Sequence, residues 1–400
     1  MAGVPAAEPD QPRAHAPDTV AVTAGRTGSG RALAPALWAT STWESEGLDD
    51  AHRRATSMRA AGFYSRYANP TVRDFELAVA ALEGAEDAIA FASGMGAIAT
   101  TVFALCSSGD HVVAQRQLYA GTMAFLQGPC ARMGIDVTFV DATRPGAFAE
   151  AVRPGRTMLV LAETPSNPRL DLVDLDELGA LRGPFTVVDA TFATPLGQRV
   201  LDHGVHLVLH SATKGIAGHN DATLGVVAGA RDLCEALWGY GVLHGSTPSP
   251  SDALHALRGL RTLPVRFERQ CTTATLLAHR LREHPAVAAV HHPSLDTHPQ
   301  RALAERQLAA PGAVLAVELH GGRATASAVL DRVRLARVAT SLGGPETLVC
   351  HPATSTHASC TDAERAAMGI TEGLLRISVG LEHADDLLAD LRQALTPTAG

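Results

Sequence analysis

Lysine is almost absent from this chain: of its 33 basic residues, all but Lys214 are arginine. A GC-rich codon bias accounts for the shortage, but not for the survivor. Arginine serves wherever only a fixed positive charge is needed, whereas Schiff-base chemistry needs an amine of tunable pKa. Other absences narrow the classes further. The six cysteines, Cys106, Cys130, Cys234, Cys271, Cys350 and Cys360, include no CxxC pair and no zinc-type spacing, so they read as buried hydrophobes in a reducing compartment. No stretch reaches the ~18 apolar residues of a membrane helix, and the Pro/Ala-rich N-terminus has no secretory apolar run. We expect a poorly ordered tail on a cytoplasmic protein, with no membrane partner. Excess positive charge is missing too: the net charge of −8 argues against nucleic acid and leaves small molecules as partners.

What remains is a chain of 400 residues, 46% apolar and 18% charged, long enough for two or three domains with full-sized cores. From about residue 85, short apolar runs alternate with helix-length segments. Ala88–Ala92, Val112–Ala114, Val137–Val140, Met158–Ala162, Thr186–Asp189, Leu207–His210 and Leu224–Ala228 read as strands. Gly96–Leu105, Gly121–Arg132 and Asp174–Leu181 read as helices. The pattern predicts an α/β fold with a large, mainly parallel sheet covered on both faces, since its strands are continuously apolar. A Gly/Ser/Pro-rich stretch, His244–Ser251, precedes a helical region from Asp252 to about Glu283. Beyond it, strands at Val287–His291, Ala313–Leu319 and Leu374–Val379, with helices at Ala324–Val333 and His383–Leu395, predict a smaller C-terminal α+β domain. We therefore divide the chain into a tail and intersubunit arm (1–60), a large domain (61–250) and a C-terminal domain (251–400), and read few regular elements in the first.

Ligands of open α/β sheets bind at the carboxyl ends of the strands. Asp189 closes one apolar run, and Ser211-Ala-Thr-Lys214 directly follows another. Pyridoxal phosphate (PLP) needs a lysine, an acidic partner for its pyridine nitrogen, and a cradle of backbone amides and hydroxyls for its phosphate. Ser93-Gly-Met-Gly96 offers such a cradle, where a strand turns into a helix. Ser211 and Thr213 add hydroxyl donors, and Tyr119 supplies a ring to lie over a flat cofactor. A metal site built on His203, His206 and His210 fails on spacing, which does not match HExxH, so no metal is expected.

Eight ordered motifs then resemble one family. They are Tyr64-Ser-Arg-Tyr-Ala-Asn-Pro-Thr71, Ser93-Gly-Met-Gly96, Glu163-Thr-Pro-Ser-Asn-Pro168, Val188-Asp-Ala-Thr-Phe-Ala-Thr-Pro195, His210-Ser-Ala-Thr-Lys214, Ser341-Leu-Gly-Gly344, His351-Pro-Ala-Thr-Ser-Thr-His357 and Arg376-Ile-Ser-Val-Gly380. Together they are similar to the Cys/Met-metabolism PLP-dependent enzymes, over residues 20 to 395. The resemblance implies the type I PLP-transferase fold, aspartate aminotransferase-like. It implies PLP held by Lys214, with Asp189 on the ring nitrogen and Ser93, Gly94, Met95, Ser211 and Thr213 at the phosphate. It implies Tyr119 stacked on the cofactor as the acid for the leaving group. Arg376 becomes the grip on the substrate carboxylate, helped by Asn167 and Ser341. Tyr64 and Arg66 are implied to reach the neighbouring subunit's cofactor, which makes the protein a homo-oligomer with shared sites, usually a tetramer in this family.

The reaction implied is γ-elimination from an amino acid with a sulfur, oxygen or halide leaving group. The alternatives are γ-replacement by a nucleophile and a catalytically silent binding protein on the same fold. Four positions depart from the usual pattern. Thr340 replaces a glutamate that meets the distal ammonium of cystathionine, and Gly121 replaces the cysteine of methionine γ-lyases. Ala190 and Gly215 replace Asn and an aromatic residue; either neighbouring side chains repack around them, or they widen or reshape the pocket for a non-standard substrate.

Overall fold

The computed structural model describes residues 15–26, 32–60 and 62–396. The N-terminal tail expected from the sequence lies mostly outside them. Seven strands form the larger sheet: β1 (Asp87–Phe91), β2 (His111–Gln115), β3 (Asp136–Val140), β4 (Thr157–Glu163), β5 (Phe185–Asp189), β6 (Leu207–His210) and β7 (Gly225–Gly229). Their order is β1-β7-β6-β5-β4-β2-β3, parallel except where β7 runs against β1 and β6. Alternate side chains feed two cores. Val160, Ala162, Val188 and Val208 pack on one face, and Leu159, Leu161, Val187 and Leu209 on the other. Burial on both faces is why these strands read as unbroken apolar runs.

The second sheet contains β8 (Val287–His291), β9 (Val314–Leu319), β10 (Arg337–Val338), β11 (Leu348–Cys350) and β12 (Leu374–Ser378), in the order β10-β11-β12-β9-β8. Its core includes Leu315, Val317, Leu375, Ile377 and Leu387. Two small apolar clusters join the sheets. Ala120 and Met123 pack with Ala316, Met368 and Leu374, and Leu170 and Phe192 pack with Val314 and Leu342.

Several elements differ from the sequence expectation. The stretch before residue 60 holds two helices, Pro17–Thr23 and Leu48–Thr56. They are short and, apart from Ala21 and Asp50, lack buried positions, so no periodicity announced them. The helix Arg231–His244 was also unforeseen, because Gly239 and Gly241 lie inside it. Gly241 is required there, since a Cβ would come 3.3 Å from the Phe91 ring. The single helical region expected after residue 252 is two helices, Pro250–Leu260 and Leu263–Leu281. Ala253, Ala256 and Leu257 of the first belong to the core of the large sheet, so packing keeps this helix with the preceding residues. The helix expected at Gly121–Arg132 widens into a π-type turn at Leu126–Cys130, around Pro129, which has no N–H to donate.

Gly259, near the end of Pro250–Leu260, sits where a Cβ would fall 1.9 Å from the Ala217 carbonyl oxygen. Forcing a methyl group into packed backbone costs about 1–3 kcal/mol. Gly259→Ala is expected to lower the thermal midpoint by several degrees, and an unchanged melting curve would show that the two segments separate freely.

Candidate active site

The strand ends of β4, β5 and β6 converge because these strands are parallel and in register, with Glu163 opposite Asp189 and Asp189 opposite Leu209. Above them opens a cavity of about 700 Å³. Ser93, Gly94, Met95, Tyr119, Asn167, Asp189, Ser211, Thr213, Lys214, Thr340, Ser341 and Arg376 all line it. Thus twelve of the fourteen residues singled out from the sequence meet in one place. Tyr64 and Arg66 are the other two, and they lie outside it. The Arg66 guanidinium donates to the Val242 carbonyl at 2.8 Å and sits 4.8 Å from the centre of the Tyr67 ring.

Lys214 follows β6 on a short turn, with its amide bonded to the Ser211 carbonyl at 3.0 Å. Its Nζ donates to Ser341 Oγ at 2.8 Å. Burial pulls the amine below the usual lysine value, and the nearby Arg376 charge adds to the effect. Arg376 projects from β12 in the second sheet, 3% exposed. One terminal nitrogen, Nη1, donates to Asn167 Oδ1 at 2.8 Å, and Nη2 to the Ser341 carbonyl at 2.7 Å. Its Nε is buried with no hydrogen-bond partner among the described residues. Ser341 therefore serves two cations at once, from a left-handed backbone (φ +80°) uncommon for a residue with a side chain.

Asp189 is buried beneath the cavity. Its Oδ1 accepts the Thr191 amide at 3.0 Å and the Thr191 hydroxyl, and among the described residues no Arg or Lys pairs with it. Burial raises its pKa, opposed by Thr191 and by His210. Across the strand pair, burial and Asp189 push Glu163 up to about 8. A buried carboxylate in this state calls for a cation or an N–H donor from outside the chain.

At the other end, Ser93 caps the helix Gly94–Leu105 by accepting the Gly96 amide at 3.0 Å, which leaves the first amides facing outward. A Cβ on Gly94 would come 2.8 Å from Ser211 Cβ, so only glycine lets the two turns meet. Amides at a helix N-terminus beside a serine hydroxyl form an anion site. Thr213 departs from expectation. Its hydroxyl accepts the Leu224 amide at 2.8 Å and donates to the Leu224 carbonyl at 3.2 Å, so its proton is already committed. An anion site, a deep carboxylate and an amine of lowered pKa in one cavity suit a flat phosphorylated aldehyde with a basic ring nitrogen. The residues present fit PLP.

Of the two readings of Ala190 and Gly215, local repacking fits the structure better. Neither lines the cavity. Ala190 is fully buried in the core of the large sheet. Gly215 faces Thr194, whose Cγ2 would lie 2.9 Å from an added Cβ, and its backbone is approached by Gly343, where a Cβ would fall 2.5 Å from the Gly215 nitrogen. The volume lost at these positions is taken up by packing. Gly121 does line the cavity, and a Cβ there would come 2.5 Å from the Tyr119 ring. The three histidines weighed for a metal face different partners: His203 meets Asp176, His206 meets Thr186, and His210 meets Glu83 at 2.6 Å.

Sequence reasoning missed Glu163 and Thr191. Glu163 accepts the amides of Tyr119 and Asn167, each at 2.8 Å. It also missed Arg266, which is buried without a carboxylate partner and donates to the carbonyls of Gly215, Ile216 and Gly259, holding the turn after Lys214. The only available signals were a strand-end acid one strand from Asp189, a hydroxyl two residues beyond it, and an arginine on an apolar helix face.

Comparison with known proteins places the chain in a family. A family model described as Cys/Met metabolism PLP-dependent enzyme matches residues 18–396. The L-methionine gamma-lyase of Fusobacterium nucleatum subsp. polymorphum is 40% identical over 369 residues, covering 91% of this chain and 93% of that protein. The O-succinylhomoserine sulfhydrylase of Pseudomonas aeruginosa is 40% identical over 383 residues, covering 94% of each. Among solved structures, cystathionine gamma synthase from Xanthomonas oryzae pv. oryzae superposes with a TM-score of 0.89 at 39% identity, over 95% of this chain and 98% of that one. The fold is the type I PLP arrangement that the motifs implied, and the chain belongs to the Cys/Met metabolism PLP-dependent enzyme family.

Proposed function

We propose that this enzyme eliminates the γ-substituent of an L-α-amino acid. The observation that carries the reading is the Lys214–Ser341–Arg376 chain, which sets a proton-carrying amine one residue from a guanidinium with a free Nε. Bound PLP supplies the electron sink for the pair left behind when the α-proton departs. Asp189 keeps a proton on the ring nitrogen. Arg376 grips the carboxylate and so fixes the α-carbon beside Lys214, whose amine removes the α-proton and then a β-proton, the electron pair of that β-C–H bond expelling the γ-substituent. Tyr119, 42% exposed at the cavity mouth, protonates the leaving atom. Among the described residues the cavity lining also carries the hydroxyls of Thr340, Ser355, Thr356 and Ser359, and its only carboxyl groups are Glu163 and Asp189, both already engaged. A distal ammonium finds no further carboxylate there, which disfavours cystathionine.

γ-Replacement is the second reading, favoured by the 40% identity to a sulfhydrylase. The six described cysteines are free and buried, which suits the cytoplasm. Tyr64 and Arg66, outside their own cavity, serve a neighbouring subunit's site in a homo-oligomer with shared active sites, for which we propose a tetramer.

Three measurements test these assignments. Incubated with methionine, O-acylhomoserines or a γ-halo amino acid alone, the enzyme is expected to release a 2-keto acid and ammonia. Product only in the presence of an added thiol would establish replacement instead. In the same assay Lys214→Ala abolishes turnover, and Arg376→Ala mainly raises KM.

Subunit mixing tests the shared site. Lys214→Ala and Arg66→Ala proteins, each impaired, regain activity after subunit exchange, because a mixed dimer keeps one complete site. Mixtures no more active than their parts would remove Arg66 from the neighbouring site.

The third measurement uses the single lysine. Acylation takes the neutral amine, so in cofactor-free protein the labelling of Lys214, followed by peptide mapping, rises with pH through its pKa. The midpoint is expected below that of free lysine. Arg376→Gln should move it upward, since removing a neighbouring cation makes the protonated amine easier to keep. A midpoint that falls or stays fixed contradicts the contact.

A further inference from the structure

Glu163 has no place in the roles assigned so far, yet it touches two of them. We propose that Glu163 is a positioning residue that couples the carboxylate grip to Tyr119, so that clamping the substrate and aiming the phenol are one event. The proposal rests on the roles given above to Arg376 and Tyr119.

Its side chain is 4% exposed, at the end of β4. Oε2 accepts the Tyr119 amide and Oε1 the Asn167 amide, both at 2.8 Å. Its own backbone is held from both sides by Gln115, which accepts the Glu163 amide at 2.9 Å and donates to the Glu163 carbonyl at 2.8 Å. A rigid strand end thus carries a carboxylate between two irregular segments. Tyr119 opens the helix Ala120–Phe125 and has no side-chain cap of its own, so Glu163 supplies from a distant strand what a local cap would give. On the other side, Asn167 Oδ1 is the acceptor for Arg376 Nη1. A continuous relay therefore runs from Arg376 through Asn167 and Glu163 to Tyr119, with each link 2.8 Å long.

The chemistry of the link requires a carboxylate. Both ends of the relay are N–H donors, and only an ionised carboxylate offers two acceptor oxygens on one short side chain. Glutamine would turn its own NH2 toward one of the amides and leave two donors facing each other. Burial and neighbouring Asp189 raise the Glu163 pKa to about 8, and the two amides and Arg376 oppose that rise.

The test uses PLP-loaded enzyme and two unreactive ligands, L-norvaline and n-butylamine, which lacks the carboxylate. Calorimetry is expected to show norvaline about tenfold weaker in Glu163→Gln, on the scale of one lost charged hydrogen bond, with n-butylamine affinity unchanged. With only four tyrosines in the chain, 3-fluorotyrosine labelling resolves Tyr119 by fluorine NMR, assigned by Tyr119→Phe. In the parent enzyme norvaline should shift the Tyr119 signal more than n-butylamine does, and in Glu163→Gln that difference should vanish. Equal weakening of both ligands, unchanged norvaline affinity, or a persisting signal difference would each overturn the coupling. If Glu163→Gln does not fold, Asn167→Ala cuts the relay at the next link and is judged by the same signal difference. Arg376→Gln separates the two levels: if it leaves norvaline affinity intact, the grip itself is misassigned, whatever Glu163 does.

Discussion

Two carboxylates buried side by side at the ends of β4 and β5 set the terms for the rest of the site. Strand register puts Glu163 directly opposite Asp189. Burying one charge costs several kcal/mol unless it is compensated, and placing a second beside it adds repulsion. The chain meets this cost unequally. Glu163 receives two backbone amides, which stabilises it and at the same time fixes the segments bearing Tyr119 and Asn167. Asp189 receives only the Thr191 amide and hydroxyl on one oxygen. The N–H of a protonated ring would supply a donor that Asp189 lacks among the described residues, which is what its proposed role requires.

Much of this was legible from the sequence because the residues concerned are chemically irreplaceable. A lone lysine in an arginine-rich chain, an acid ending an apolar run and a small-residue turn before a helix identify a PLP site before any coordinates. The strands were legible too, since a doubly covered sheet needs continuous apolar runs. The residues that were missed act through others. Arg266 bonds three backbone carbonyls and the Thr262 hydroxyl, and Thr191 bonds Asp189 and the Ser211 amide. No pattern in a single sequence distinguishes such a side chain from an ordinary polar one. Short elements escaped for a related reason. β10 has two residues and β11 three, fewer than any periodicity needs.

Ala190 and Gly215 show how a sequence argument can choose the right neighbourhood and the wrong surface. Both flank catalytic residues, and adjacency in the chain suggested adjacency to the substrate. Side chains of consecutive residues on an extended segment point to opposite faces. Asp189 faces the cavity, so Ala190 turns into the core behind it, among the apolar residues of the large sheet. Gly215 is enclosed by Thr194 and Gly343. The positions that do meet the substrate space are Gly121 and Thr340, which lie far from Lys214 in sequence. Of these, Gly121 acts indirectly, since the room it leaves is occupied by the Tyr119 ring.

The site draws its two halves from different sheets, and that division follows from what each half must do. Lys214 and Asp189 sit at strand ends of the large sheet, where convergent parallel strands and helix amides suit a rigid phosphorylated ring. Arg376 comes from β12, the middle strand of the second sheet, and Ser341 from a loop of the same half. At the site the two meet through Ser341 on Lys214 and Asn167 on Arg376, and around it through two small apolar clusters and bonds such as those of Gln300 to Leu172 and Gln307 to Val173. In the proposed reaction the substrate carboxylate and the acting amine would therefore lie on opposite sides of this seam. Glu163 spans the same seam from below, through Asn167, and reaches Tyr119 on the large-sheet side. Under the proposed roles of Arg376 and Tyr119, the γ-substituent would leave from a carbon positioned by the second sheet, toward an acid positioned by the first.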